Sequence, residues 1–175
     1  LQQLTQQVEA TAHRELQQTR GDIDAIHRQG VQKSPRFGYH SQIATSAETP
    51  RWVQLQWPQP QFLSHITLHP CHDEFNSIGH GFGFPRQLEV RLLRGEQWTT
   101  LNDPDIAAAV TAASGTLMGV TIPINRQVHA VRIVATQLAP RQGDYIFALA
   151  ELEAVDSQSQ NVASLADVTS LDSIE

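Results

Sequence analysis

The apolar pattern of this chain changes its period once, near Phe37. Before that residue, apolar side chains recur at spacings of three and four, which is typical of an amphipathic helix. After it, apolar and polar residues alternate in short runs between turn signals, which is typical of strands. The helical stripe consists of Leu1, Leu4, Val8, Ala12, Leu16, Thr19, Ile23 and Ile26. We therefore predict a helical arm or linker over residues 1–34 and a β domain over residues 35–156.

Alternating segments predict about eight strands in the β domain. Val53, Leu55 and Trp57 alternate with glutamines, so we expect these three side chains in the core. Tyr145 to Val155 is apolar on both faces, the pattern of a strand in the middle of a sheet. Residues 106–113 are Ala-rich, and a short helix is the alternative there. The lack of a convincing helix between strands favours an all-β, antiparallel sandwich or jelly roll.

The composition excludes several classes of function. The 175 residues contain one cysteine, Cys71, which excludes an internal disulfide framework and a multi-cysteine zinc site. The formal net charge is −6, and the twelve basic residues are spread along the chain, which argues against binding of nucleic acid or of an anionic membrane. No segment approaches the roughly 20 apolar residues of a membrane helix. We therefore expect no nucleic-acid partner and no membrane insertion.

Five segments of the β domain occur in an order that resembles the discoidin family, the coagulation factor 5/8 type C domains. They are Trp52–Leu55, Ile66–Pro70, Gly83–Val90, Val131–Thr136 and Ala150–Ala154. This resemblance implies a galactose-binding-like jelly roll, with packing roles for Trp52 and Trp98. It also implies a non-catalytic module for carbohydrate binding or adhesion within a larger exported multidomain bacterial protein, in some cases accessory to a glycoside hydrolase. The implied partners are glycans or glycoconjugates and neighbouring domains of the same chain, in an extracellular, cell-surface or periplasmic location.

The tail of the chain resembles the opening of another such module. Asn161-Val162-Ala163, followed by Val168-Thr169-Ser170, is similar to the first strand of a discoidin-like domain, although Leu165 stands where that family usually has glycine. We therefore assign residues 157–175 to a linker and the first strand of a second module in tandem.

The resemblance is incomplete where the family often holds a structural calcium ion. An Asp-Gly pair is expected shortly before Trp52, and the chain has Ser46-Ala47-Glu48-Thr49-Pro50-Arg51 there. Calcium needs several oxygen ligands on a sharply turned loop. We expect no cofactor, and we keep calcium as the alternative, with Glu48 and Glu151 as its candidate ligands.

The segment from Cys71 to Phe84 is the strongest candidate for a ligand-binding loop. It joins two predicted strands, is too long for a tight hairpin, and mixes polar and aromatic residues with three glycines. A second loop, from Arg141 to Tyr145, precedes the closing strand. The predicted ligand-binding residues are His72, Asp73, Glu74, Phe75, Asn76, His80, Phe82, Arg141 and Tyr145. A purely structural excursion and a transition-metal site that includes His69 are the alternatives for the first loop.

Nothing in the pattern indicates catalysis by this chain. No Gly-x-Ser-x-Gly elbow is present, so nothing identifies a nucleophile. Glu151 and Glu153 lie two apart on one predicted strand and share a face, whereas a glycosidase pair flanks its substrate from opposite sides. We therefore expect a binding module, and the competing hypothesis is a structural spacer or protein-interaction module that binds no sugar.

Overall fold

The computed structural model describes residues 38–73 and 79–174 and confirms an all-β fold with antiparallel sheets. The helical arm predicted over residues 1–34 lies outside the described residues. The strands are β1 (Tyr39–His40), β2 (Arg51–His69), β3 (Cys71–Asp73), β4 (Gly79–Phe82), β5 (Gln87–Arg94), β6 (Gln97–Thr100), β7 (Val120–Gln137), β8 (Ala139–Pro140), β9 (Tyr145–Ile146), β10 (Ala148–Leu149), β11 (Glu151–Val155) and β12 (Asp167–Ser170). In this part of the chain no helix has the length and apolar character needed to cross a membrane.

The two longest strands, β2 and β7, pair with each other along most of their length and form the centre of the main sheet. The strand order of this sheet is β11-β2-β7-β5-β6, and β12 also pairs with β2. On the side of β2 away from β7, β12 pairs with residues 53–56 and β11 pairs with residues 65–69. Three two-stranded sheets, β1–β10, β3–β4 and β8–β9, complete the fold.

The long β2 strand contains a bulge at its two prolines. Gln56 pairs with Ala130 and Gln61 pairs with Val128, so the four residues from Trp57 to Pro60 oppose a single residue of β7. Proline has no N–H to give to a sheet ladder and is confined to edges and bulges. The sequence has separate strand patterns before and after these prolines, at Val53 to Trp57 and at Ile66 to Leu68. The structure joins them, because the residues that cannot pair fall inside the bulge.

The predicted core positions of β2 are confirmed. Val53, Leu55 and Trp57 are buried in the main core cluster with the β7 residue Ile133. The indole Nε1 of Trp57 donates to the carbonyl oxygen of Val162 at 2.9 Å, which satisfies a buried donor. The alternation of apolar and polar residues therefore predicted the phase of this strand correctly.

The Ala-rich segment before β7 forms helix α1 (Pro104–Ala113). The side chain of Asp103 caps the helix by accepting the Asp105 N–H at 3.0 Å. Pro104 occupies the first turn, where its missing N–H costs nothing. Ile106 and Val110 bury one side of α1 in the main core. The alternative of a short helix is thus the one realised here.

Residues 145–155 do not form the single interior strand that the sequence predicted. They divide into β9, β10 and β11, and β2 is the one described strand that pairs with β11. Side chains on both faces of residues 146–149 are buried. Phe147 and Leu149 belong to the main core, while Ile146 and Ala148 belong to a second, smaller core. Residues 145–150 are apolar throughout because they pass between two cores.

The C-terminal segment departs from the predicted tandem arrangement. Residues 167–170, assigned from the sequence to the first strand of a second module, form β12 and pair with β2 in this sheet. The carboxylate of Asp172 then accepts the Gln42 N–H at 3.0 Å and lies 3.0 Å from the Arg51 Nε. The segment is therefore part of the first module's sheet, and we correct the assignment accordingly.

Tyr39 lies beside this ion pair with its hydroxyl buried and without a hydrogen-bond partner among the described residues. Its ring packs edge-on against Phe147, with the centroids 5.3 Å apart. Burial and the negative charge of Asp172 raise the pKa of the Tyr39 hydroxyl, while the charge of Arg51 opposes that shift. The fold therefore favours the neutral form of this side chain.

Replacing Tyr39 by phenylalanine should make stability less sensitive to alkali. Because the folded-state pKa is raised, the unfolded chain releases the Tyr39 proton first, near its ordinary value of 10.0. The stability contributed by this residue is complete below that pH and is lost as the pH rises above it. We expect Tyr39→Phe to be as stable as the native protein at pH 7 and more stable at pH 11, as measured by urea denaturation. Tyr145→Phe is the control, and an equal gain from that change would contradict the assignment.

Candidate functional site

The first loop predicted to bind ligand packs against residues that follow the second predicted loop. The first is a hairpin of β3 and β4, in which Cys71 pairs with Phe82 and His72 pairs with His80. The sequence predicted a loop here because strands of three and four residues are too short to show a period. Three predicted site residues, Glu74, Phe75 and Asn76, lie outside the described residues, as does the side chain of Asp73.

A small core attaches this hairpin to the segment that contains the second loop. Cys71 and Phe82 pack there with Ile146 and Ala148. Phe82 is 9% exposed, and its ring meets the ring of His40 edge-on at a centroid distance of 5.6 Å. Phe82 thus offers little ring surface to a ligand, and its main contact is with the protein itself.

Gly83 sets how closely the hairpin approaches the rest of the fold. Its carbonyl oxygen accepts the Ala148 N–H at 2.8 Å, and its φ is +65°. A Cβ atom added at Gly83 would lie 2.6 Å from the Cβ of Ala148. The positive φ and the close approach both require glycine at this position.

In the same hairpin, Gly79 has a similar φ, +78°, but a Cβ atom there would meet none of the described residues within 4 Å. Gly79→Ala should therefore cost only the backbone strain of about 1–2 kcal/mol. We expect Gly83→Ala to cost at least about 2 kcal/mol more, because the hairpin must also move away from Ala148. The free energies of unfolding of the two variants test this difference, and equal losses would mean that the hairpin is not held at Gly83.

A concave site of about 220 Å³, here called the end pocket, lies between the β3–β4 hairpin and β8, the strand that precedes the second loop. It is lined by His80, Gly81, Phe82, Gly83, Phe84, Arg86, Ser114, Ala139 and Pro140. The side chains of His80 and Arg86 can form hydrogen bonds with a ligand. Gly81 and Gly83 have no side chain to cover the backbone from a ligand. The rings of His72 and His80 lie against each other with centroids 4.5 Å apart. The end pocket therefore includes the predicted site residues His80 and Phe82.

Arg141 has a different role from the one predicted. Its Nε and Nη2 donate to the two carboxylate oxygens of Asp144 at 2.9 and 2.8 Å. This pairing raises the pKa of Arg141 and lowers the pKa of Asp144, in both cases chiefly through the hydrogen bonds between them. The guanidinium group, which we expected to contact a ligand, is hydrogen-bonded within its own turn. Tyr145 is partly buried against the main core and pairs with Pro140.

The calcium and transition-metal alternatives gain no support from the described part of the chain. Within residues 38–73 and 79–174, no three His, Cys, Asp or Glu side chains are grouped as metal ligands. Glu48 is exposed and accepts a hydrogen bond from the Ser46 hydroxyl at 2.6 Å, which lowers the pKa of its carboxyl group. Glu151 is exposed on β11. The His69 Nε2 lies 3.2 Å from the Glu153 carboxylate without forming a hydrogen bond.

Two further surfaces were missed by the sequence analysis. One is a polar cleft of about 500 Å³, here called the hairpin cleft, lined by Pro60, Arg94, Gly95, Gln97, Thr99, Gln127 and His129. The other is a stack of Trp52, Arg132 and Trp98 on the outer face of the main sheet, the face away from the main core. The phase of β2 contained a signal for the stack, since Trp52 alternates with the core residue Val53.

Comparison of the chain with protein-family models, with curated proteins and with solved structures gave no match. The discoidin resemblance therefore rests on the five sequence segments, and it stays a prediction.

Proposed function

We propose that this chain is a non-catalytic carbohydrate-binding module whose sugar site is the end pocket. The observation that carries the proposal is one concave site with polar groups, which the first predicted loop forms together with Ser114 and β8, both distant from it in sequence. At about 220 Å³ the pocket is smaller than the ~300–1,000 Å³ typical of larger ligands. This size suits one terminal sugar unit better than a long chain.

The chemistry of the end pocket is compatible with a sugar. The ring nitrogens of His80 and the guanidinium of Arg86 match the donors and acceptors of hydroxyl groups. Gly81 and Gly83 allow a ligand to approach the backbone closely. Recognition by loops on a rigid sheet is also the usual arrangement of binding modules.

The proposal includes a discoidin-like jelly roll within a larger exported protein. Support for two packed layers comes from the shared core. Phe147 and Leu149, which lie outside the main sheet, belong to the same buried cluster as Leu55 and Ile133. Such packing is expected if the short sheets cover the inner face of the long strands.

An interaction module without sugar binding is the second candidate function. Leu165, Val168, Leu171 and Ile174 are each half or more exposed along the C-terminal segment. Apolar side chains grouped on a surface mark sites of protein contact. A neighbouring domain covering this segment would make the module a spacer.

A glycan array followed by calorimetry separates the two candidates. We expect the 175-residue chain to retain a defined glycan. Arg86→Gln and His80→Ala should each weaken binding about tenfold, or ~1.4 kcal/mol. The matched control is Arg94→Gln, which removes an arginine from the hairpin cleft and should leave binding unchanged.

Two results would contradict the site or the function. Loss of binding in Arg94→Gln alone would place the site in the hairpin cleft. No retention of any glycan by the folded chain would favour the interaction module.

A further inference from the structure

Trp52, Arg132 and Trp98, here called the outer-face stack, come from three different strands. The guanidinium carbon of Arg132 lies 4.2 Å from the centroid of the Trp52 ring and 4.5 Å from that of the Trp98 ring. Such distances are those of cation–π contacts. The stack shares no residue with the end pocket or the hairpin cleft.

The strand register places the two rings on opposite sides of the guanidinium. Trp52 pairs with Val134, two residues beyond Arg132 on β7. Trp98 pairs with Leu93, which pairs with Ala130, two residues before Arg132. Residues directly paired or two apart share a face of the sheet. The planar guanidinium is therefore held between two aromatic rings, with its edge available for hydrogen bonds.

One edge of this guanidinium is satisfied by the protein. The Nε of Arg132 donates to the Oε1 of Gln54 at 2.8 Å, and the amide nitrogen of Gln54 donates to Gln56 at 3.0 Å. Gln54 is 5% exposed, so this support is fixed beneath the stack. The two terminal amino groups of Arg132 have no hydrogen-bond acceptor among the described residues.

Among the described residues, Arg132 has no anionic partner. Arg91 lies next to it on β5 in the register, but its own guanidinium is paired with the carboxylate of Glu89 at 2.8 Å. Partial burial and the positive charge of Arg91 both lower the pKa of Arg132. A carboxylate at the terminal amino groups would supply the missing counter-charge and two charge-assisted hydrogen bonds.

We propose that the outer-face stack binds a carboxylated sugar, such as a uronic acid unit of an acidic polysaccharide. The carboxylate accepts two hydrogen bonds from the terminal amino groups of Arg132. The apolar face of the sugar ring packs on the indole of Trp98, which is 39% exposed. A neutral sugar provides the stacking contact but leaves the guanidinium unpaired, so the acid should be preferred.

This proposal goes beyond the end pocket and is independent of it. It concerns another surface, and its test uses other variants and another class of sugar. If Arg86→Gln does not affect binding of a neutral glycan, the proposal for the outer-face stack still stands. If the experiment below fails, the proposal for the end pocket still stands.

The test is a titration of the full chain with a galacturonic acid trisaccharide and, in parallel, with its methyl ester. The ester has the same ring faces without the charge. The chain contains three tryptophans, so the ¹H–¹⁵N spectrum has three indole signals, assigned by single Trp→Phe changes. We expect the acid to shift the signals of Trp52 and Trp98, to leave that of buried Trp57 unchanged, and to bind about tenfold more tightly than the ester.

Arg132→Gln removes the charge and Trp98→Ala removes the exposed ring. Each should weaken binding of the acid at least about tenfold, while Trp98→Phe should restore most of the affinity of the Ala variant. Arg94→Gln removes an arginine at the β5–β6 turn, close to Trp98 in sequence. This variant should bind the acid as the native protein does. The proposal is overturned if the acid shifts neither signal at about 10 mM, if the ester binds equally well, or if folded Arg132→Gln retains full affinity.

Discussion

The pairing of β2 with β7 is the interaction on which the rest of the structure depends. It runs from Arg51 opposite Ala135 to Leu68 opposite Val120, and every other strand of the main sheet attaches to one of these two or to β5, which itself pairs with β7. The same pair carries the inner face of the core and the outer-face stack. Its strength comes from a hydrogen-bonded ladder, interrupted by the bulge at residues 57–60 and by a register shift between Leu63 and His65, together with burial of the side chains on the inner face.

The periodicity of the sequence predicted the parts of this fold that depend on local pattern. Alternation predicted that Leu55 lies in the core. The Ala-rich composition before β7 indicated a short helix as an alternative to a strand, and a helix forms there. The continuity of β2 through Pro58 and Pro60 was not predictable in this way, because a bulge is defined by the partner strand. The position of β12 was missed for a similar reason. An isolated strand pattern contains no information about which edge it will join.

The candidate site shows the same division between local and tertiary information. The sequence identified two segments with the composition of recognition loops, and only the first of them lines the end pocket. The sequence did not reveal that the guanidinium of Arg141 is hydrogen-bonded to Asp144 or that Phe82 is part of a small core. The outer-face stack combines residues from three strands, so it becomes visible once the register is known. The outer-face stack therefore relies on the β2–β7 pair, which carries Trp52 and Arg132, as a rigid support.

Native-state hydrogen exchange, followed by NMR in low concentrations of denaturant, tests this dependence most directly. If the β2–β7 pair supports the fold, its hydrogen-bonded amides should exchange only through global unfolding. Amides of the β3–β4 hairpin should exchange through local opening at a lower free energy, while the main sheet stays protected. Exchange of the β2 and β7 amides at the same low free energy as the hairpin, before global unfolding, would contradict the account.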